Sequence, residues 1–124
     1  MAIQTPGLQS QHAGLAALSS RHITVNDLPW QETKFPGIRI KVLMEDLDTG
    51  LQTVLTQMDP GSVLTDHEHI ELEQSWVLEG SLVDHEGEVT AGNYVWRPAG
   101  SRHSASAPKG ALVLGFFLKP NRFY

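Results

Sequence analysis

The feature that most limits the fold is a pair of histidines, His67 and His69, in a segment that begins at Gly61 and ends at Gly80. In an extended strand, side chains at positions i and i+2 point to the same face, so this spacing lets two imidazoles converge on one point. Neutral imidazole binds zinc, iron, copper and nickel, and a nearby carboxylate such as Glu73 extends the choice to manganese. Glycine permits the tight turns that bound such a segment. The sequence therefore predicts a metal-chelating strand between two turns, followed by a second strand.

Short alternating segments separated by turn residues run through most of the chain. Residues 39–45 alternate between apolar and polar side chains, residues 46–50 supply turn chemistry, and residues 51–58 follow as the returning strand. Residues 111–118 form a nearly continuous apolar run, which predicts a strand buried on both faces. Turn signals at intervals of about 8 to 12 residues predict roughly eight or nine strands and an all-β sandwich or barrel.

The first part of the chain is less regular. A chain of 124 residues is large enough for one domain with one core. Residues 13–20 can form one or two helical turns, although so short a helix is marginal alone. Residues 21–26 alternate like an arm strand that can pair with the sheet edge of another subunit. We therefore divide the chain into an N-terminal arm over residues 1–28, a candidate for a subunit interface, and a β-barrel domain over residues 29–124.

Acidic residues are concentrated in the middle of the chain. Twelve of the fourteen acidic residues lie between Lys41 and Arg97, where lysine and arginine are absent. Nucleic acid is therefore not an expected partner, because binding its backbone needs a basic surface. No membrane partner is expected either, since no apolar run approaches the roughly 20 residues that span a bilayer. We expect a cytoplasmic protein. The chain has no cysteine, so a bound metal must be held by nitrogen and oxygen.

The spacing of specific residues resembles the two sequence motifs of the cupin superfamily. The first motif is matched by Gly61, His67, His69, Glu73 and Gly80, and the second by Gly92, Pro98, Gly100 and His103. The asparagine that often closes the second motif is Ala107 here. The resemblance implies a jelly-roll β-barrel in which four side chains point inward around one divalent metal ion. Those implied ligands are His67, His69, Glu73 and His103. Such a set leaves coordination positions open, which is typical of a reactive centre.

A narrower resemblance is carried by residues 73–104, together with residues 29–30 and 35–43. These stretches are similar to compact cupins related to the ChrR-type anti-sigma domain and to acetylacetone-cleaving dioxygenase. The resemblance implies a homodimer or homotetramer and a small-molecule substrate. It favours Fe(II) as the cofactor, with zinc, manganese, nickel and copper as alternatives.

The role of Glu73 has two alternatives. It can be a fourth ligand, or, as the dioxygenase group implies, it can lie outside three ligating histidines and orient a ligand or water. In either case Glu73 is the predicted catalytic side chain. Glu71 shares the strand parity of His67 and His69 and is therefore the alternative to Glu73 for this role. We favour Glu73 because a chain turn between the two strands makes parity a poor guide.

Three functions are compatible with these features. The leading hypothesis is an iron-dependent dioxygenase that cleaves or oxidises a small organic substrate such as a 1,3-dicarbonyl. The second is a non-catalytic metal-binding sensor or regulatory module. The third is a sugar or keto-acid isomerase, since one fold hosts many chemistries.

For residues outside the motifs, the sequence makes less specific predictions. His85 is predicted to be an exposed turn residue, and Arg97 and Arg102 to be solvent or interface charges. The aromatic side chains at strand spacing are predicted to lie in the core or at an interface. They are Trp76, Tyr94, Trp96, Phe116 and Phe117.

Overall fold

β-strands dominate the residues that the computed structural model describes, which are 2–124. The strands are β1 Ile3–Gln4, β2 Gln31–Glu32, β3 Ile38–Asp46, β4 Gln52–Met58, β5 Ser62–Glu68, β6 Glu73–Asp84, β7 Gly87–Thr90, β8 Tyr94–Arg97, β9 Arg102–Ala107, β10 Ala111–Phe117 and β11 Arg122–Phe123. One short helix, α1, spans Gln9–His12, and a 3-10 turn spans Val25–Asp27. The predicted all-β jelly-roll fold is confirmed. Within residues 2–124 no helix has the length and apolar character needed to cross a membrane.

The strands form two layers that share β6. The larger layer contains β1, β2, β3, β4, β10, the first part of β6 and β8. The smaller layer contains β11, β5, β9, the last part of β6 and β7. Within β6, residues 73–76 pair with β8, whereas residues 81–84 pair with β7, and Val83 pairs with Ser106 of β9. A single strand thus connects the layers, and its two ends face each other across the interior.

The change of layer in β6 occurs at Gly80. Its φ of 69° lies in the left-handed region, which glycine adopts without steric cost. A Cβ atom at this position would lie 1.9 Å from the carbonyl oxygen of Gly110. The pairing of β6 with β10 also shifts register between Leu112 and Val113, one residue from this point. Gly80 is therefore required both for the backbone conformation and for the close approach of two backbones.

The hydrophobic core lies between the layers. Its buried members come from β3, β4, β6, β9 and β10, and they are Ile38, Met58, Val77, Ala107, Ala111 and Val113. Burial of a large aliphatic side chain contributes about 1.5–3 kcal/mol. The motif position that is often asparagine, Ala107, is completely buried here and belongs to this cluster. Alanine at that position therefore serves apolar packing.

The N-terminal region differs from two predictions. The helix lies at Gln9–His12, and residues 13–20 form turns in which Leu18 is fully exposed. Residues 21–24 are not a strand, and the 3-10 turn follows them. The predicted arm strand is wrong because the Val25 carbonyl accepts a hydrogen bond from buried Lys41 (2.8 Å) instead of a strand partner. The pairing of β1 with β3 places Ile3 and Gln4 in the same sheet as the barrel domain.

The outer face of the larger layer carries exposed aromatic side chains. The prediction that β10 is buried on both faces is wrong, because Val113 and Gly115 face the core while Phe116 is exposed. Cα partners Trp76 and Tyr94 lie on the same outer face. We call this set the aromatic patch: Trp76, Leu78, Tyr94, Trp96 and Phe116. A sheet face of this character is typical of a contact surface.

Candidate metal centre

Three histidines meet between the two layers. His67 of β5 and His103 of β9 are direct Cα partners in the antiparallel pair. His69 follows β5 by one residue, and its backbone N–H continues the pairing by donating to the Ser101 carbonyl (2.8 Å). The ring centroids are 4.6–5.1 Å apart, and one ligand atom from each imidazole lies within 4.8 Å of the others. His67 and His69 are each 1% exposed, so the cluster is internal.

Each of these imidazoles is fixed by a hydrogen bond at Nδ1. His67 Nδ1 lies 2.7 Å from the Thr65 carbonyl oxygen, and His69 Nδ1 lies 3.1 Å from the Ser101 carbonyl oxygen. His103 Nδ1 lies 2.7 Å from Asp84 Oδ2. These oxygens only accept, so Nδ1 donates in each ring and the unprotonated nitrogen is Nε2. Three Nε2 lone pairs are therefore available for a cation, and the partners of Nδ1 set their direction.

Glu73 lies beside this cluster at the start of β6. Its Oε2 atom is 2.8 Å from His69 Nε2, yet both atoms are buried without an aligned hydrogen-bond partner in residues 2–124. A buried acceptor without a partner is costly, and two such atoms side by side match ligands that share a cation. Glu73 is buried and Glu71 is exposed. The donor set of three imidazoles and one carboxylate therefore fits a divalent metal ion such as iron or zinc. Whether Glu73 is a direct ligand stays a prediction.

A second buried carboxylate supports the centre from the other end of β6. Asp84 Oδ2 accepts hydrogen bonds from His103 Nδ1 (2.7 Å) and from Arg97 Nη1 (2.9 Å). Asp84 Oδ1 accepts from the backbone N–H groups of Glu86 and Gly87 (2.8 and 3.1 Å). Both oxygens are thus satisfied, and the carboxylate holds the His103 ring in one orientation. The expectation that Arg97 is a solvent or interface charge is wrong, because it is only 8% exposed and is ion-paired with Asp84.

The environment of these groups shifts their pKa values. Burial lowers the pKa of His103 to about 4, against a weaker opposing effect of Asp84. Burial also lowers the pKa of His67. Burial opposes ionisation of Glu73, but its pKa is lowered when the neighbouring His69 Nε2 carries positive charge, and the charge of Arg97 adds to this effect. At neutral pH the carboxylate is therefore charged and these two imidazoles are neutral, which is the state that binds a cation.

We expect the metal-free protein to lose stability as the pH falls from 7 to 4.5. The pKa values of His67 and His103 are lower in the folded chain than in the unfolded chain, so the unfolded chain binds more protons below pH 6.5. The contribution of His103, whose pKa in the folded chain is about 4, should approach about 1.4 kcal/mol per pH unit, and the lowered pKa of His67 adds loss of the same sign. Urea unfolding across this range measures it. A His85→Gln variant, which changes an exposed histidine, should give the same slope as the wild type. Constant or rising stability on acidification would contradict the expectation.

A small cavity of about 60 Å³ adjoins the imidazoles of His67 and His103. Its walls include the apolar side chains of Leu64, Leu82, Val113 and Phe117, and Arg97 contributes a cation. The volume is sufficient for about four or five water-sized groups. Such a chamber can hold a small ligand beside these imidazoles.

The last strand closes the centre from the side of β5. Phe123 of β11 packs on the His67 ring, with a centroid distance of 5.1 Å, and also contacts Phe35 at 4.8 Å. Tyr124 donates a hydrogen bond to Glu68 (2.6 Å), and the Arg102 guanidinium stacks on its ring at 3.8 Å. The end of the chain is therefore anchored against the strand that carries His67.

Sequence reasoning found the four motif side chains but missed the residues that support them. Asp84 adjoins the turn predicted at His85, and Ser101 lies outside the motif positions. The single signal for Asp84 was its acidic side chain beside a predicted hairpin, which is also typical of an ordinary turn residue. His85 is exposed as predicted, and Arg102 is exposed and paired with Asp66 (2.7 Å). Contacts between distant strands, rather than local patterns, decide which charges are internal.

Comparisons with known proteins agree with this architecture. The profile of the ChrR Cupin-like domain matches residues 19–120. A candidate acetylacetone dioxygenase from Methylibium petroleiphilum PM1 is 21% identical, with a TM-score of 0.79 over 89% of this chain and 84% of that one. An acetylacetone dioxygenase from Acinetobacter johnsonii is 20% identical, with a TM-score of 0.74 over 88% and 79% of the two chains.

A structure of Rhodobacter sphaeroides SigE in complex with the anti-sigma ChrR contains a chain that is 23% identical to this one. The TM-score is 0.64, and the match covers 75% of this chain and 50% of that one. No curated protein matches the sequence significantly. Structural likeness at these identities shows the fold, whereas the profile match covers most of the sequence and shows the family. The chain therefore belongs to the ChrR Cupin-like domain family, within the cupin superfamily.

Proposed function

We propose that this protein is a metal-dependent dioxygenase of the cytoplasm that cleaves or oxidises a small enolisable compound such as a 1,3-dicarbonyl. Fe(II) is the favoured metal. The observation that carries the proposal is the buried triad of His67, His69 and His103 beside a small, mostly apolar cavity. The likeness to acetylacetone dioxygenases supports the reaction class.

The residues of the chain have separate tasks in this reaction. A metal ion held by the three histidines would supply Lewis acidity toward a substrate carbonyl. The Nδ1 hydrogen bonds keep the imidazoles in the ligating tautomer. Glu73, ionised and lining the cavity, is positioned to receive at a carboxylate oxygen the proton that an enolisable carbon loses. The apolar walls exclude water and hold the substrate in one orientation.

Oxygen consumption tests the proposal. Protein loaded anaerobically with Fe(II) should consume oxygen with at least one member of a panel of diketones, catechols and thiols, and acetylacetone is the first candidate. Zinc-loaded protein serves as the control, since zinc has no redox chemistry. No uptake with any member of the panel would refute the dioxygenase proposal.

The alternative function is a sensor module in which a metal tunes a partner surface without turnover. The specific support is the likeness to the cupin chain in the complex of ChrR with SigE. This alternative predicts tightly held zinc, no oxygen uptake, and a protein partner whose affinity depends on the metal. Two measurements distinguish the dioxygenase from the sensor: elemental analysis of protein purified without chelator, and the oxygen assay.

We also propose that the chain forms a homodimer or homotetramer through the aromatic patch. The patch exposes large apolar side chains on one continuous sheet face, and Trp96 is 58% exposed. A second copy offers the same apolar surface, which makes a two-fold contact self-complementary. The N-terminal arm stays a candidate for the same interface.

A Trp96→Glu variant is expected to shift the protein toward the monomer, because the new charge would have to be buried without a partner. Sedimentation velocity measures the change. A Val63→Glu variant is the matched control, since Val63 is exposed on β5 of the smaller layer, outside both the aromatic patch and the arm. Identical sedimentation of both variants and the wild type would contradict the role of the patch.

A further inference from the structure

Arg97 occupies an unusual position for a cation. It ends β8, is the Cα partner of Glu73, and lines the cavity together with Glu73, His67 and His103. It does not pair with its cross-strand neighbour, because Nη1 donates to Asp84 in the other layer. A guanidinium carries five N–H donors on Nε, Nη1 and Nη2. In residues 2–124 the guanidinium donates its hydrogen bond through Nη1, and Nε and Nη2 remain free to donate to a ligand or to solvent. A buried cation with spare donors therefore borders the space beside the imidazoles.

The charges around the cavity do not balance once a divalent ion is present. Among the buried groups, the ion contributes +2 and Arg97 contributes +1, whereas Glu73 and Asp84 contribute −1 each. Glu86, 4.0 Å from Arg97 Nη1, is 70% exposed and is screened by solvent, so it is not counted. The total is +1, and an uncompensated charge in an apolar, buried site is costly. One negative charge on the ligand would neutralise the site. Carboxylate matches the planar fork of a guanidinium better than a single oxygen does, because it accepts two parallel hydrogen bonds.

We infer that the substrate of this centre is a small oxo acid, whose carboxylate is bound by Arg97 while its carbonyl end faces the three histidines. The inference rests on the proposed metal centre and deepens it by naming the substrate class. Asp84 has a positioning role, because its contact with Nη1 fixes the guanidinium and leaves the remaining donors for the ligand. The volume of about 60 Å³ limits the acid to a few carbon atoms.

Calorimetric titration of zinc-loaded protein tests the inference without turnover. The probes are acetoacetate and its neutral methyl ester, which share the 1,3-dicarbonyl group and differ in the carboxylate. Wild-type protein should bind acetoacetate about ten to a hundred times more tightly than the ester, the range expected for a charge-assisted hydrogen bond. Zinc stoichiometry is measured first for every variant, so that a loss of the metal is separated from a loss of the anion.

The decisive variant is Arg97→Gln combined with Asp84→Asn, which removes the buried pair without leaving one charge alone. It should bind the two probes with similar affinity. An Asp84→Asn variant keeps Arg97 but weakens the contact that fixes its guanidinium, so its preference should lie between those of the wild type and the double variant. Arg102→Gln, which changes an exposed arginine paired with Asp66, should match the wild type.

Equal affinity for the two probes in wild-type protein, or an undiminished preference in the double variant, would overturn the inference. Neither result would touch the dioxygenase proposal, which the oxygen assay tests separately. Conversely, a protein that consumes no oxygen but still prefers acetoacetate to the ester would refute the dioxygenase reaction and would support an oxo acid as the ligand.

Discussion

A His103→Ala variant should bind zinc more than about a hundredfold more weakly than the wild type, beyond the range expected for loss of a supporting residue. The substitution removes one of three convergent Nε2 donors and leaves Asp84 with Arg97 as its remaining charged partner. Competition with a chromophoric chelator at pH 7 measures the affinity. An Asp84→Asn variant should lose about ten to a hundredfold, because the ring stays in place but its partner is no longer charged.

The exposed histidine at position 85 supplies the control for this series. His85→Ala changes an imidazole outside the centre and should retain full affinity. If His103→Ala and His85→Ala bound zinc equally well, the three imidazoles would not form the metal site. Circular dichroism of the metal-free variants establishes that each chain is folded before the titration.

A Gly80→Ala variant should lose at least about 3 kcal/mol of the free energy of unfolding, or fail to fold. Two effects add at this position. Alanine is strained at a φ of 69°, and its Cβ would lie 1.9 Å from the Gly110 carbonyl oxygen. The neighbouring atom is backbone, so β6 or the turn at Gly110 must move. Equilibrium unfolding in urea gives the magnitude.

Gly61→Ala and Gly92→Ala separate strain from steric overlap. Both glycines have a φ of 84°, and a Cβ at either position would meet no atom within 4 Å. Their variants should therefore lose only the cost of the backbone conformation, about 1–2 kcal/mol. If Gly80→Ala were no worse than these two, the close approach of β6 and the Gly110 turn would not matter for stability.

The sequence was informative where chemistry and spacing coincide. The spacing of His67 and His69 indicated a shared face at the end of one strand, and turn residues marked the longer strands. The described residues contain eleven strands rather than the eight or nine predicted, because β1, β2 and β11 are only two residues long. The preference for Glu73 over Glu71 as the inward carboxylate agrees with their burial. Local periodicity and motif spacing are sufficient for these features because each depends on neighbouring residues.

Other features depend on contacts between distant segments. Asp84 and Arg97 become internal because the end of β6 reaches His103, which no local pattern indicates. Residues 21–26 alternate like a strand, yet the Lys41 ammonium binds the carbonyl that a strand partner would need. The apolar run at 111–118 predicts a strand buried on both faces, whereas its outer side chains extend an exposed surface. The apolar composition of a strand does not show whether a given face packs in the core or is exposed as a contact surface.

The path of β6 has a kinetic consequence. The larger-layer end of this strand carries Glu73 and the smaller-layer end carries Asp84. A bound metal ion would therefore be enclosed by side chains from both layers, and these can move away together only if the two layers separate. Dissociation of the ion would then require transient opening of the barrel rather than rotation of one ligand side chain. Residence time should consequently lengthen or shorten with global stability, even when every coordinating atom is left unchanged.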